Sequence, residues 1–208
     1  YYKLDNKDKA SELYGNILER EPDNYIALFN YAAILAEEEK TDEAMEIFHR
    51  IETKEEAASD SQLYYEMAKV ACRTEDYADA MLYGEKALEL DDDNIEINKF
   101  LLIVYENGEF YAKYLEMADK VIEYNENKTE NAKNPENAEL YFKKCDMMFN
   151  HTGDFIRGLA QLKKAIGAGY SNKEELYRIY ENKELLNSDE IREVIDKSAI
   201  LKGYVPPK

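Results

Sequence analysis

Two histidines, two cysteines and several short carboxylate runs are the residues of this chain that could do chemistry. His49 and His151 are far apart in sequence, and neither has a companion at metal-ligand spacing, so both read as surface or rim side chains. Glu37-Glu38-Glu39 and Asp91-Asp92-Asp93 offer carboxylates for acid–base work, yet each sits where a turn or a helix end is expected. A calcium loop would need oxygen ligands at alternate positions around a glycine, and no stretch supplies them. There is no Gly-rich phosphate loop, no G-x-S-x-G and no C-x-x-C. Cys72 and Cys145 fall at non-equivalent positions and read as two buried free thiols rather than a disulfide. No catalytic residue, metal ligand or cofactor is expected.

Composition bounds the partners. The 208 residues carry a formal net charge of -18, which disfavours nucleic acid, since affinity there comes mainly from Lys and Arg neutralising phosphates. The same charge disfavours anionic membrane surfaces and suits a solvated, monomeric exterior. No apolar run approaches the roughly 18 residues needed to span a bilayer. Composition leaves the cellular compartment open.

The positioning elements emerge from Tyr65 to Asn94. Met67, Ala68 and Ala71 share one helical face, Thr74-Glu75-Asp76-Tyr77 interrupts it, and Ala80, Gly84 and Ala87 form the face of a second helix that Asp92-Asp93-Asn94 ends. This helix–turn–helix recurs with large and small apolar residues at fixed places, and it resembles the tetratricopeptide repeat. The resemblance implies an all-α solenoid, a right-handed superhelix of antiparallel helix pairs with no sheet.

Read in that register, residues 1–208 form one array. Residues 1–24 are a half repeat: Ala10, Tyr14 and Ile17 lie on a second helix, and Tyr1-Tyr2-Lys3-Leu4 resembles the last turn of a preceding helix, which implies further chain upstream. Repeats follow at 25–58, 59–94, 95–128 and 137–170. The first of these carries Ala32, Ala44 and Phe48 but lacks the glycine the family prefers in its turn. In the next, Gly84 replaces an aromatic, and Tyr83 is expected to fill the gap from beside it. In the repeat at 95–128, Leu102 occupies a small position, and Tyr114 with Ala118 reverses the usual order, so an irregular step is expected there. Asn125 to Asn134 reads as a loop or a frayed helical extension, and Asn134-Pro135 restarts the order. Asp146 sits at a small position, where it should find a partner or lie at the rim. Residues 171–204 read as capping helices, the last running from Ser188 to about Leu201, and this end resembles the closing sequence of some bacterial repeat proteins; Val205 to Lys208 should be loose.

The resemblance further implies a concave face lined by the first helix of each pair. Its groove positions carry over to Phe29 and Ala33, to Tyr65, Lys69 and the adjoining Arg73, to Lys99 and Ile103, and to Lys143 and Met147. Aromatics with four basic residues on an acidic chain suit an extended or helical peptide with apolar anchors and acidic groups. The same basic residues would equally offset nearby Glu96 and Glu106. The paired lysines by which some family members hold a C-terminal carboxylate are absent. The expected function is a non-catalytic scaffold binding a peptide or protein partner in the groove, and the alternative is a regulatory or accessory arm of a larger enzyme, envelope or secretion protein.

Overall fold

The computed structural model of the chain describes residues 7–128, 134–185 and 188–206. Among the described residues every regular element is helical and none is a strand. The expected last helical turn at Tyr1-Tyr2-Lys3-Leu4, residues 129–133 of the expected loop, Leu186, Pro207 and Lys208 lie outside them. The chain divides into two compact units, Tyr1–Phe110 and Tyr111–Lys208, and the division falls inside the repeat where an irregular step was expected.

The first unit comprises α1 (Lys7–Arg20), α2 (Tyr25–Glu37), α3 (Thr41–Glu52), α4 (Ser61–Arg73), α5 (Tyr77–Leu90) and α6 (Ile95–Asn107). Each helix packs on the next, and α2 also touches α4. Most helices start where a short polar side chain accepts from an otherwise orphaned N–H: Asn24 from Ala27 at 3.0 Å, Asp60 from Leu63 at 3.1 Å, Asp76 from Asp79 at 3.1 Å. Between α3 and α4 the chain makes a short 3-10 turn, Glu55–Ser59, that the apolar periodicity does not reveal.

The pair turns solve one geometric problem three times. Glu39, Glu75 and Glu109 take left-handed φ values of 63°, 60° and 59°, and the following N–H reaches back to the helix end: Lys40 to the Leu35 carbonyl at 2.9 Å, Asp76 to Ala71 at 2.9 Å, Phe110 to Tyr105 at 2.8 Å. Glutamate thus stands where a glycine would be unstrained. Gly108, beside one of these turns, has an ordinary φ of -84° and is needed for closeness instead. A Cβ there would lie 2.8 Å from Tyr77 Cβ and closer still to the Phe110 ring.

Small residues set the approach of each pair. Ala32, Ala44, Ala68 and Ala80 are fully buried, as is Phe48, which fills the space between pairs. The gap at Gly84 is filled differently from expectation. A Cβ on Gly84 would meet Leu101 Cδ2 at 2.6 Å, so α6 supplies the filler, while Tyr83 turns toward the His49 ring at 6.3 Å.

The second unit comprises α7 (Tyr111–Lys128), α8 (Pro135–Met147), α9 (Phe155–Gly167), α10 (Lys173–Glu181) and α11 (Ser188–Ser198). Helix α7 packs on α8, α8 on α9, α9 on α11 and α10 on α11. Tyr114 and Ala118 are both buried in their reversed order. Residues expected as loop or frayed helix begin as ordered helix: α7 continues to Lys128, and Asn125 is buried. Its amide donates to Asn137 Oδ1 at 2.9 Å, and the Asn137 amide donates to the Ile122 carbonyl at 3.4 Å. Asp146 finds its partners at the rim, accepting from Arg178 at 2.8 Å and Asn150 at 2.9 Å. The turn after α8 is a π-type turn, Met148–Thr152, closed by Gly153 at φ 67°. Helix α11 stops at Ser198, short of Leu201, because Ala199 turns left-handed at φ 56°.

Candidate protein-binding face

Helices α2 and α4 each pack against the helix that follows, α3 and α5, and side chains link α2 to α4 and α4 to α6. The guanidinium of Arg73, in the last turn of α4, donates to the Ala36 carbonyl at the end of α2. A cation thus meets the negative end of a neighbouring helix. Tyr65 on α4 packs edge-on against Phe100 on α6, with ring centroids 5.3 Å apart. Phe29 on α2 does not reach this cluster; its ring packs edge-on against Phe48 of α3 at 6.1 Å.

The expected face residues of the first unit differ in what they leave accessible. Ile103 is 53% exposed and Ile26, at the start of α2, is 69% exposed, while Phe29, Ala33, Tyr65, Lys69 and Lys99 are half-buried. Lys69 pairs with Glu66 at 2.7 Å, and its ammonium lies 5.2 Å from the Tyr65 ring centroid. Glu66 also accepts from Gln62 at 2.9 Å. Partial burial, then Glu66 and Glu96, push the Tyr65 phenol above its usual range. Charge offset is therefore real at Lys69, but its partner is Glu66, a residue that the repeat register did not single out. Arg73 is committed to a backbone carbonyl. Cys72 is half-buried rather than buried, and desolvation raises its thiol, opposed in part by Arg73.

In the second unit Lys143 lies half-buried on α8, whereas Met147 is 6% exposed and belongs to the interior. The neighbouring Lys144 is 2% exposed and pairs with Asp119 of α7. Sequence reasoning passed over Lys144 and Phe100, each one residue from an expected face position. Among the described residues no group of three or more His, Cys, Asp or Glu side chains could hold a metal, and no helix is long and apolar enough to cross a membrane.

No family model matches the chain, and no curated protein matches it in sequence. Solved structures do match. The crystal structure of YrrB, described as a tetratricopeptide-repeat protein with an unusual peptide-binding site, superposes with a TM-score of 0.63 at 21% identity, covering 93% of this chain and 94% of that one. The chain has the tetratricopeptide-repeat fold. MamA gives a TM-score of 0.61 at 18% identity over 84% of this chain and 86% of that one. BtubC from P. vanneervenii gives 0.55 at 12% identity over 97% of this chain and 92% of its own. The linked α2, α4 and α6 carry the expected face positions Phe29, Ala33, Tyr65, Lys69, Arg73, Lys99 and Ile103.

Proposed function

We propose that the chain is a non-catalytic protein-interaction scaffold, acting as a monomer, that takes a polypeptide on the α2–α4–α6 face of its first unit. The observation that carries this reading is the pairing of Tyr65 with Phe100 beside an exposed Ile103: a rigid aromatic pair next to an apolar side chain 53% open to solvent. Rigid aromatic anchors flanked by polar rims are where binding energy concentrates. The description of YrrB as having a peptide-binding site supports the same reading. Phe29, Ala33, Tyr65 and Ile103 are the apolar contacts, with Lys69, Arg73 and Lys99 at their edges. Lys143, half-buried on α8, is a candidate contact of the second unit by itself, and Met147 of the same helix is buried.

The test is capture of a partner from lysate, followed by kinetics with two double variants. Tyr65→Ala with Ile103→Ala should speed dissociation by about tenfold per buried anchor. Lys69→Glu with Lys99→Glu should slow association and weaken its salt dependence. Wild-type binding by both variants, with loss of capture on substituting exposed Leu82 of α5, would overturn the assignment of the face.

A further inference from the structure

The second unit contains a cavity whose walls are aromatic. Tyr177 and Tyr180, one helical turn apart on α10, present near-parallel rings with centroids 6.5 Å apart and an interplanar angle of 17°. The chain beyond α11 doubles back to add a third ring. Ala199 and Gly203 are both left-handed, at φ 56° and 74°, and turns close from Lys202 N–H to the Ala199 carbonyl at 3.2 Å and from Tyr204 N–H to the Leu201 carbonyl at 2.9 Å. A left-handed alanine is rare, and here it serves to bring Tyr204 onto α10. The Tyr204 ring stands 5.7 Å from that of Tyr177 and at 61° to it.

These three rings, with Ile195 and Leu201, bound a cavity of about 360 Å³ that also receives the Asp196 carboxylate. The size is that of a small-ligand pocket. Aromatic faces carry negative electrostatic potential, and a carboxylate beside them adds to it. Asp196 is felt at the rings: its charge is the first cause raising the Tyr180 phenol above its ordinary range. The cluster already holds one cation of the chain's own. The Arg192 guanidinium lies 5.7 Å from the Tyr180 centroid, anchored by its Nε donating to the Tyr180 carbonyl at 2.9 Å. Lys202 lines the cavity and Arg192 does not. Lys202 is exposed, and an ammonium is strongly hydrated, so water competes with the rings for it.

We propose that this cavity binds a methylated ammonium group, the cation shared by choline and trimethylated lysine. Such a cation has no N–H to satisfy, sheds water cheaply, and gains from several aromatic faces at once. Tyr177, Tyr180 and Tyr204 form the walls and Asp196 supplies the countercharge.

The experiment is titration of the full chain with choline, followed by nuclear magnetic resonance of the tyrosine ring signals, beside the neutral isostere 3,3-dimethyl-1-butanol. Choline should give a saturable shift at millimolar concentration, and the isostere should bind about tenfold more weakly. Tyr204→Leu should lower choline affinity by about tenfold while Tyr204→Phe retains it, and Asp196→Asn should lower it several-fold with less salt dependence. Far-ultraviolet circular dichroism checks that each variant keeps its helices. Parallel titrations with trimethyllysine and with phosphatidylcholine vesicles tell a side-chain source from a lipid headgroup; binding of either supports the shared chemistry. Equal affinity for choline and its isostere would reduce the site to an apolar pocket and overturn the proposal. So would the absence of a saturable shift, which the unmodified protein alone can reveal.

Discussion

The ammonium of Lys144 on α8, only 2% exposed, is held by the carboxylate of Asp119 on α7, which is itself 69% exposed. The buried partner cannot turn to water when the exposed one is removed. Asp119→Ala should therefore destabilise the second unit by about 1–3 kcal/mol, less than for a fully buried pair because water can reach the vacated rim. Lys144→Met keeps the stem volume and should cost less than Asp119→Ala or be neutral. Urea midpoints of the two variants in the opposite order would contradict this account.

Glu39, Glu75 and Glu109 each sit in a left-handed conformation that a β-carbon disfavours. Glycine at any of the three should stabilise by roughly 0.5–1 kcal/mol, the strain relieved exceeding the added freedom of the unfolded chain. Gly153→Ala, at φ 67°, should move the other way by about 1 kcal/mol. Thermal or urea unfolding of the four variants reads this directly.

Close helix approaches should punish added volume. Ala44→Leu and Ala80→Leu, at positions with no exposed surface, should each cost about 1–3 kcal/mol. Gly158→Ala should fall in the same range, because its Cβ would lie 2.6 Å and 2.7 Å from ring atoms of Phe149, which cannot swing aside as an aliphatic tip can. Unchanged denaturant midpoints would mean that these contacts do not limit the packing.

Alkaline pH should unfold the chain through its tyrosines. Burial first, and then the hydrogen bond to Glu126, push the Tyr141 phenol from 10.0 to about 12, and Tyr25 and Tyr170 are raised further by burial and by hydrogen bonds to Asp60 and Glu175. A raised folded value means that the neutral phenol is stabilised by the fold. That contribution is complete below pH 10.0 and is lost as pH rises toward about 12. Tyr141→Phe should flatten the decline in urea midpoint over this window.

Helix pairs and their small-residue contacts were legible in the sequence because they depend on period and size alone. Ala44, Phe48 and Ala80 needed no knowledge of neighbours. What the pattern could not give is which side chain crosses from another helix. Leu101 rather than Tyr83 fills the space at Gly84, and Arg73 spends its charge on the Ala36 carbonyl, because both choices depend on reach between elements distant in sequence. Lys144 escaped notice for a related reason: its hydrophobic stem satisfies the buried face while its tip finds Asp119 at the rim. Met147 is a groove position by resemblance alone, and its burial depends on neighbours that the repeat register does not name.

The amide clasp between Asn125 and Asn137 separates two properties that usually travel together. The attachment of α7 to α8 is made by side chains on either flank of residues 129–133, so the seam does not depend on how many residues connect it. The clasp therefore gives α7 and α8 a mutual register that is written in their own side chains and backbone.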